Sequence, residues 1–351
     1  MPESTRRSVL KALGVVGAGS VLVYGGMRAE SAPSASNGTT GGERRSAIRT
    51  GTEPSTSAET ETPTETPTPA PSTWRLESLG RTTLSSPAGG FAEGVIRADG
   101  KYAAVGTRFS NQGSYLLDMR DPSAPEMLHH LPTDDGERCL DVKFGPEKGL
   151  YCRTNHPAGS TGVEVVDYGF GKGTPRSPTV LSSLDTGSTH NFYVSAATNV
   201  VYPVNYGKNP DEGGIDVWDV SNPRTPRQHG SAGPSGQVHD VVYDSKRELL
   251  HSTYMGDRID GYLVFDASDP LNPTEIGQFD YGKHLAYEDA DVGEEAFGNA
   301  HYALPETRRD LVIVGDERSY GTPGGKHVFD IGWRDGSPEN PIPVGFTVSP
   351  N

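Results

Sequence analysis

Residues 190–219 recur in altered form as residues 239–266. Thr-His-Asn-Phe-Tyr-Val aligns with Val-His-Asp-Val-Val-Tyr. Asp-Val-Trp-Asp-Val-Ser-Asn-Pro-Arg-Thr-Pro aligns with Leu-Val-Phe-Asp-Ala-Ser-Asp-Pro-Leu-Asn-Pro. A period of about 50 residues describes units that cannot bury their apolar faces alone, so the chain must fold as an array. Any site in such an array is assembled from equivalent positions in several units.

Each unit carries an apolar stretch, an Asp and a Pro-rich turn. The anchors are Asp118 (Pro122, Pro125), Asp167 (Pro175, Pro178), Asp219 (Pro223, Pro226), Asp266 (Pro270, Pro273) and Asp330 (Pro338, Pro341). Asp caps the backbone N–H groups that follow it, and Pro presets φ. Runs of β-branched and aromatic residues flank each anchor. In the fourth unit they span 239–243, 249–254, 262–265 and 274–279, with turns between them. Four short strands per unit make an antiparallel meander. About 45–50 residues per meander suits a propeller blade better than a β-sandwich. The expected fold class is all-β, a β-propeller of four-stranded antiparallel blades, five of them visible.

The Asp-Val-Ser-Asn-Pro-x-x-Pro signature, with Leu311-Val-Ile-Val314 on an earlier strand, resembles that of the LVIVD-repeat β-propellers. The His-Asn and His-Asp pairs at the unit starts are similar to those of the choice-of-anchor B surface propellers. The resemblance covers residues 88–347, more closely in the third to fifth units. It implies a propeller exported to the cell surface, and no settled reaction.

Residues 74–80 read as a fourth strand, the counterpart of 273–277. The last unit brings its own fourth strand at 341–346. Two readings stay open: a five-bladed ring with a spare edge strand, or an incomplete ring of six or seven blades. The cost of unpaired sheet edges favours the second.

Thr5-Arg-Arg-Ser-Val-Leu-Lys11 is a twin-arginine export motif, followed by an apolar run over residues 12–24. That run is too short for an ordinary membrane span and fits a signal segment over residues 1–30. Left uncut, it would tether the protein. No other membrane span is expected. Residues 31–72 are dominated by Ser, Thr, Pro, Glu and Gly, the composition of a disordered stalk. The stalk holds the glycosylation triplet Asn37-Gly-Thr39. The propeller is expected over residues 73–351.

The net charge of −15 argues against nucleic acid and anionic membranes as partners. Arg outnumbers Lys more than twofold. This balance resembles that of halophilic archaeal proteins, although an ordinary acidic secreted protein shares it. The two cysteines, Cys139 and Cys152, flank a turn at 145–149 that sets Cys152 opposite Val142. A disulfide is off-register there, and burial as two small apolar residues is the expectation.

Counting twelve residues from the opening strand to the second strand of each unit places Glu93, His190, His239 and His301 at one position. The opening strand of a blade lines the central channel, so these four side chains should converge at its mouth. Three imidazoles and a carboxylate suit Zn²⁺, Cu²⁺ or Fe²⁺. A structural histidine duplicated in each blade gives the same phase, and spacing does not separate the two. Asn191, Asp240 and Asp141 alternate to the other side of the strand, where they could support neighbouring blades. Loops expected on the same face contain Tyr206, Asp257, Asp316 and Glu317, the pair Asn155-His156, and an acidic segment at 281–298 with His284 and Glu288. That segment is either a lid favouring cations or a solvated loop. No nucleophile elbow, Walker loop, zinc-finger spacing or EF-hand loop is present.

Two functions are carried forward. One is an exported binding module for a surface protein, a glycan or a small molecule at this face. The other is a metal-dependent oxidoreductase or hydrolase, its ion on His190, His239 and His301 with Glu93 as ligand or base.

Overall fold

The computed structural model describes residues 77–85, 90–156, 162–205, 214–255, 259–281, 298–317 and 324–348. The expected signal and stalk segments lie outside them. Among the described residues no helix is long and apolar enough to cross a membrane.

The protein is all-β, with five four-stranded antiparallel sheets in simple meander order. The first comprises β1 (Phe91–Ile96), β2 (Tyr102–Thr107), β3 (Ser114–Asp118) and β4 (Glu126–Leu131). The second holds β5 (Val142–Phe144), β6 (Leu150–Thr154), β7 (Val163–Asp167) and β8 (Thr179–Leu184). The third is β9 (Thr189–Ser195), β10 (Val200–Asn205), β11 (Ile215–Asp219) and β12 (Arg227–Ala232). The fourth is β13 (Val238–Asp244), β14 (Leu249–Tyr254), β15 (Gly261–Asp266) and β16 (Thr274–Asp280). The fifth is β17 (Ala300–Pro305), β18 (Leu311–Asp316), β19 (Gly325–Asp330) and β20 (Ile342–Val348). The first strands face one another in series: β1 on β5, β5 on β9, β9 on β13 and β13 on β17.

The core lies between blades. Val217, Ala232, Leu250 and Phe265 belong to one apolar cluster, although the first two come from the third sheet and the last two from the fourth. Val264 and Phe279 meet Val312 and Phe329 across the next gap. Val165 and Leu184 meet Phe192 and Val201, and Leu116 meets Val142 and Tyr151. Each of these four clusters draws its residues from adjacent sheets, as a repeat of this length requires.

All five anchor aspartates cap the turn after the third strand. Asp118, Asp219 and Asp266 each accept the N–H two residues on, from Arg120, Ser221 and Ser268. Asp167 and Asp330 instead hold longer loops. Asp167 accepts N–H bonds from Gly169, Phe170, Gly171 and Gly173. Asp330 accepts from Gly332, Trp333, Arg334 and Gly336.

Residues 77–80 form no strand. Gly80 nevertheless lies against the Pro122 and Ser123 carbonyls as Gly277 lies against that of Pro338. The segment therefore occupies the position of a preceding fourth strand without entering a sheet.

Cys152 pairs with Lys143, one residue from the Val142 expected. Both cysteines are free and buried, in different inter-blade clusters. Burial pushes both thiols up to about 12. Gly113 takes φ +64 where β3 begins, and a Cβ there would collide with the Leu131 carbonyl. Gly113→Ala is expected to cost about 1–3 kcal/mol, read as a lower unfolding temperature. An unchanged transition would show that the turn relaxes freely.

Candidate functional site

The site is built on bulges at the starts of the first strands. Registers break between Phe91 and Gly94 in β1, between Val238 and Asp240 in β13, and between Ala300 and Tyr302 in β17. In β9 the break falls opposite Pro203 to Asn205. A bulge sets two residues against one and re-aims their side chains.

The anchors fix the phase. Tyr102, Leu150, Val200, Leu249 and Leu311 each pair with the anchor aspartate of their blade. Ten residues ahead of them stand Ala92, Leu140, His190, His239 and His301. The twelve-residue count therefore holds for the histidines and misplaces Glu93 by one. Glu93 shares the next position with Asp141, Asn191, Asp240 and Tyr302. The cause is the phase of β2, where Val105 lies one residue beyond the equivalents of Tyr202, His251 and Ile313.

The histidine position delivers a cluster. The His190 ring lies 4.5 Å from that of His239, which lies 4.0 Å from that of His301 (centroid distances). His156, just beyond β6, extends the row at 5.4 Å from His190. Glu317, just beyond β18, brings its Oε2 to 3.7 Å from His239 Nε2. One donor atom each from His239, His301 and Glu317 lies within 4.8 Å of the others. His239 is buried, and its Nδ1 lies 2.9 Å from the His301 carbonyl oxygen. A carbonyl only accepts, so Nδ1 carries the proton and Nε2 the lone pair. The Asn191 amide nitrogen lies 3.3 Å from the same Nδ1, a packing contact rather than a hydrogen bond once Nδ1 carries its proton.

Burial is the main reason these imidazoles stay neutral. It lowers His190 to about 3, helped by His156, His301, Arg138 and Arg108. It lowers His301 to about 4, helped by Lys326. His239 falls well below its ordinary value through burial and its two histidine neighbours. His156 falls through burial and Arg138. Burial raises the Glu317 carboxyl, and Arg108 offsets part of the rise. At neutral pH the row therefore presents lone pairs rather than charges.

The second position gathers a different group. Lys143 Nζ bonds Asp141, lies 3.9 Å from a Glu93 oxygen and sits 5.8 Å from the Phe192 ring centroid. Asp141 also accepts the Phe192 N–H at 3.0 Å, joining the second and third blades. Burial pushes Asp240 up to about 7, against the pull of Lys143, with Asp141 and Glu93 adding to the rise. Burial and Asp141 raise Glu93, which Lys143 opposes. Burial works against the Lys143 ammonium, but Asp141, Glu93 and Asp240 hold its proton more tightly still. Lys143 has no sequence signal beyond a cation inside an otherwise apolar strand.

Asp316 lies at the end of a strand rather than in the loop expected. It is buried at the end of β18, accepting from Tyr281 Oη at 3.0 Å and from His327 Nε2 at 2.9 Å. Tyr206, Asp257, His284 and Glu288 lie outside the described residues.

No family model and no curated protein matches the sequence. Solved structures do match. A protein from Lactobacillus plantarum superposes with TM-score 0.59 at 10% identity, covering 78% of this chain and 75% of that one. A putative 6-phosphogluconolactonase from Bacteroides fragilis gives 0.56 at 12%, covering 78% and 74%. The periplasmic gluconolactonase of Pseudomonas aeruginosa gives 0.51 at 12%, covering 73% and 72%. At such identities the likeness concerns architecture alone, and by architecture this chain is a β-propeller.

Proposed function

We propose that this protein is an exported β-propeller that works as a binding module, taking a surface partner or small molecule at the face where its first strands begin. The observation that carries the reading is the convergence of His156, His190, His239, His301 and Glu317, drawn from four blades, on one place. The inter-blade clusters are packed from apolar side chains and need no such row. A rigid disc bearing a few convergent polar groups is the ordinary design of a binding site. Export is supported by the Arg6-Arg7 motif and the Ser/Thr/Pro-rich segment after it. The acidic composition, poor in lysine, supports a saline environment.

The test is a thermal-shift panel of sugars and small carboxylates on the full exported chain, run both with and without a chelator. A ligand at a hundred times its dissociation constant adds about 2.7 kcal/mol of apparent stability. That gain should vanish in a His301→Gln/Glu317→Gln variant. It should survive Arg308→Gln, which lies in the β17–β18 turn on the opposite rim. The reverse pattern would place binding on the other face and end the reading.

A further inference from the structure

We propose that His239 Nε2, His301 and Glu317 form a transition-metal site, these three being its ligands among the described residues and the open position taking an incoming group. The inference deepens the binding reading and rests on it, since the open position is where the partner's donor atom would attach.

The geometry separates an ion from a hydrogen bond. His239 gives its Nδ1 proton to the His301 carbonyl at 2.9 Å, so its Nε2 lone pair faces Glu317 Oε2 at 3.7 Å. Two lone-pair atoms at that range repel unless an electrophile lies between them. A shared proton does not suit, because 3.7 Å exceeds hydrogen-bond length. A tetrahedral dication with bonds of about 2.0–2.2 Å holds its donors roughly 3.4 Å apart. The observed separation is within a few tenths of an ångström of that, and all three donors already lie within 4.8 Å of one another.

The surroundings are those of a ligating histidine. Metal-bound imidazoles characteristically donate their second N–H to a carbonyl or carboxylate, which fixes tautomer and ring direction. Here the carbonyl belongs to His301, itself in the donor set, so one backbone contact orients two ligands. His190 packs edge-on against His239, with the ring planes at 63°, and forms a wall. Two histidines and one carboxylate make a borderline donor set, suited to Zn²⁺ and its neighbours rather than to Ca²⁺ or Mg²⁺. Among the described residues three protein ligands are present, which leaves the fourth tetrahedral corner for water or an incoming group.

The experiment is calorimetric titration of the metal-stripped full chain with Zn²⁺, alongside the absorption spectrum of its Co²⁺ form. One equivalent should bind, and Co²⁺ should show the intense visible bands of four- or five-coordination. Glu317→Gln keeps shape and removes charge at a half-buried position, and should weaken Zn²⁺ at least about tenfold. His301→Gln should do the same, whereas Glu93→Gln should leave affinity unchanged. Unaltered thermal unfolding of the metal-free variants separates lost ligation from lost folding. Absence of stoichiometric Zn²⁺, six-coordinate Co²⁺ spectra, or equal affinity in Glu317→Gln would each overturn the site. If Zn²⁺ fails while a panel ligand still needs His301 and Glu317, the metal falls and the binding face stands. If Zn²⁺ binds as described and panel ligands need only the opposite rim, the site stands and the binding reading falls.

Discussion

Arg153→Ala is expected to destabilise the protein by about 3–5 kcal/mol, because it breaks a buried ion pair from one side. Arg153 is buried on β6 and pairs with Glu164 on β7 at 2.7 Å. The same guanidinium donates to the Leu131 and Pro132 carbonyls, where the first blade ends. Burial opposes the charge most strongly, but Glu164, Tyr151 and Cys139 together outweigh it, so the group keeps its proton. Removing it leaves a carboxylate and two carbonyls without this donor at the junction of two blades. An Arg153→Met/Glu164→Leu pair should recover part of the loss, because two desolvated charges then disappear together. Urea unfolding at fixed salt measures both. A loss below about 1 kcal/mol for the single variant would mean that water enters the junction.

Asp330→Ala should cost about 2–4 kcal/mol, since one buried carboxylate accepts four backbone N–H bonds. Asp167→Ala should behave alike, and Asp219→Ala, with one backbone N–H from Ser221, should cost less. Acid dependence follows from the same bonds. Burial would raise Asp167 and Asp330, but their backbone donors win and hold both below the usual carboxylate range. A carboxyl depressed on folding stabilises fully above its unfolded value of about 3.9. As pH falls below that, the unfolded chain takes up the proton first, and stability drains until the folded value is passed. Stability should therefore be flat from neutrality to about pH 5 in these two groups' contribution and fall steeply below about pH 4. In Asp330→Asn the acid slope should be shallower. An identical slope would assign acid unfolding to other carboxylates.

The architecture was legible because each feature that encodes it is local. An Asp followed by a Pro-containing turn marks the end of every third strand, and the strands expected in the fourth unit at 249–254 and 274–279 are observed as Leu249–Tyr254 and Thr274–Asp280. Turn chemistry and period-2 patterning act within a few residues. The candidate site was legible in part. Duplication placed His190, His239 and His301 in one phase, and the fold brings their rings together. Glu93 lay beyond that logic. Its count depended on the phase of β2, which only the pairing of Tyr102 with Asp118 reveals. Glu317 could be assigned to the right face, but no spacing announced that it would lie against His239. The carboxylates around Lys143 come from three different blades, and no stretch of sequence records that meeting.

By itself the sequence determined the repeat, the meander and the capping of its turns, because hydrophobic period and backbone capping are properties of neighbours along the chain. Tertiary structure alone decided which polar groups meet where the first strands begin. Bulge position and strand register set that outcome, and a shift of one residue carries a side chain from the histidine row to the lysine cluster. Hydrogen bonds between neighbouring strands of each blade fix that register, and the packing of first strand on first strand then brings the side chains of different blades together.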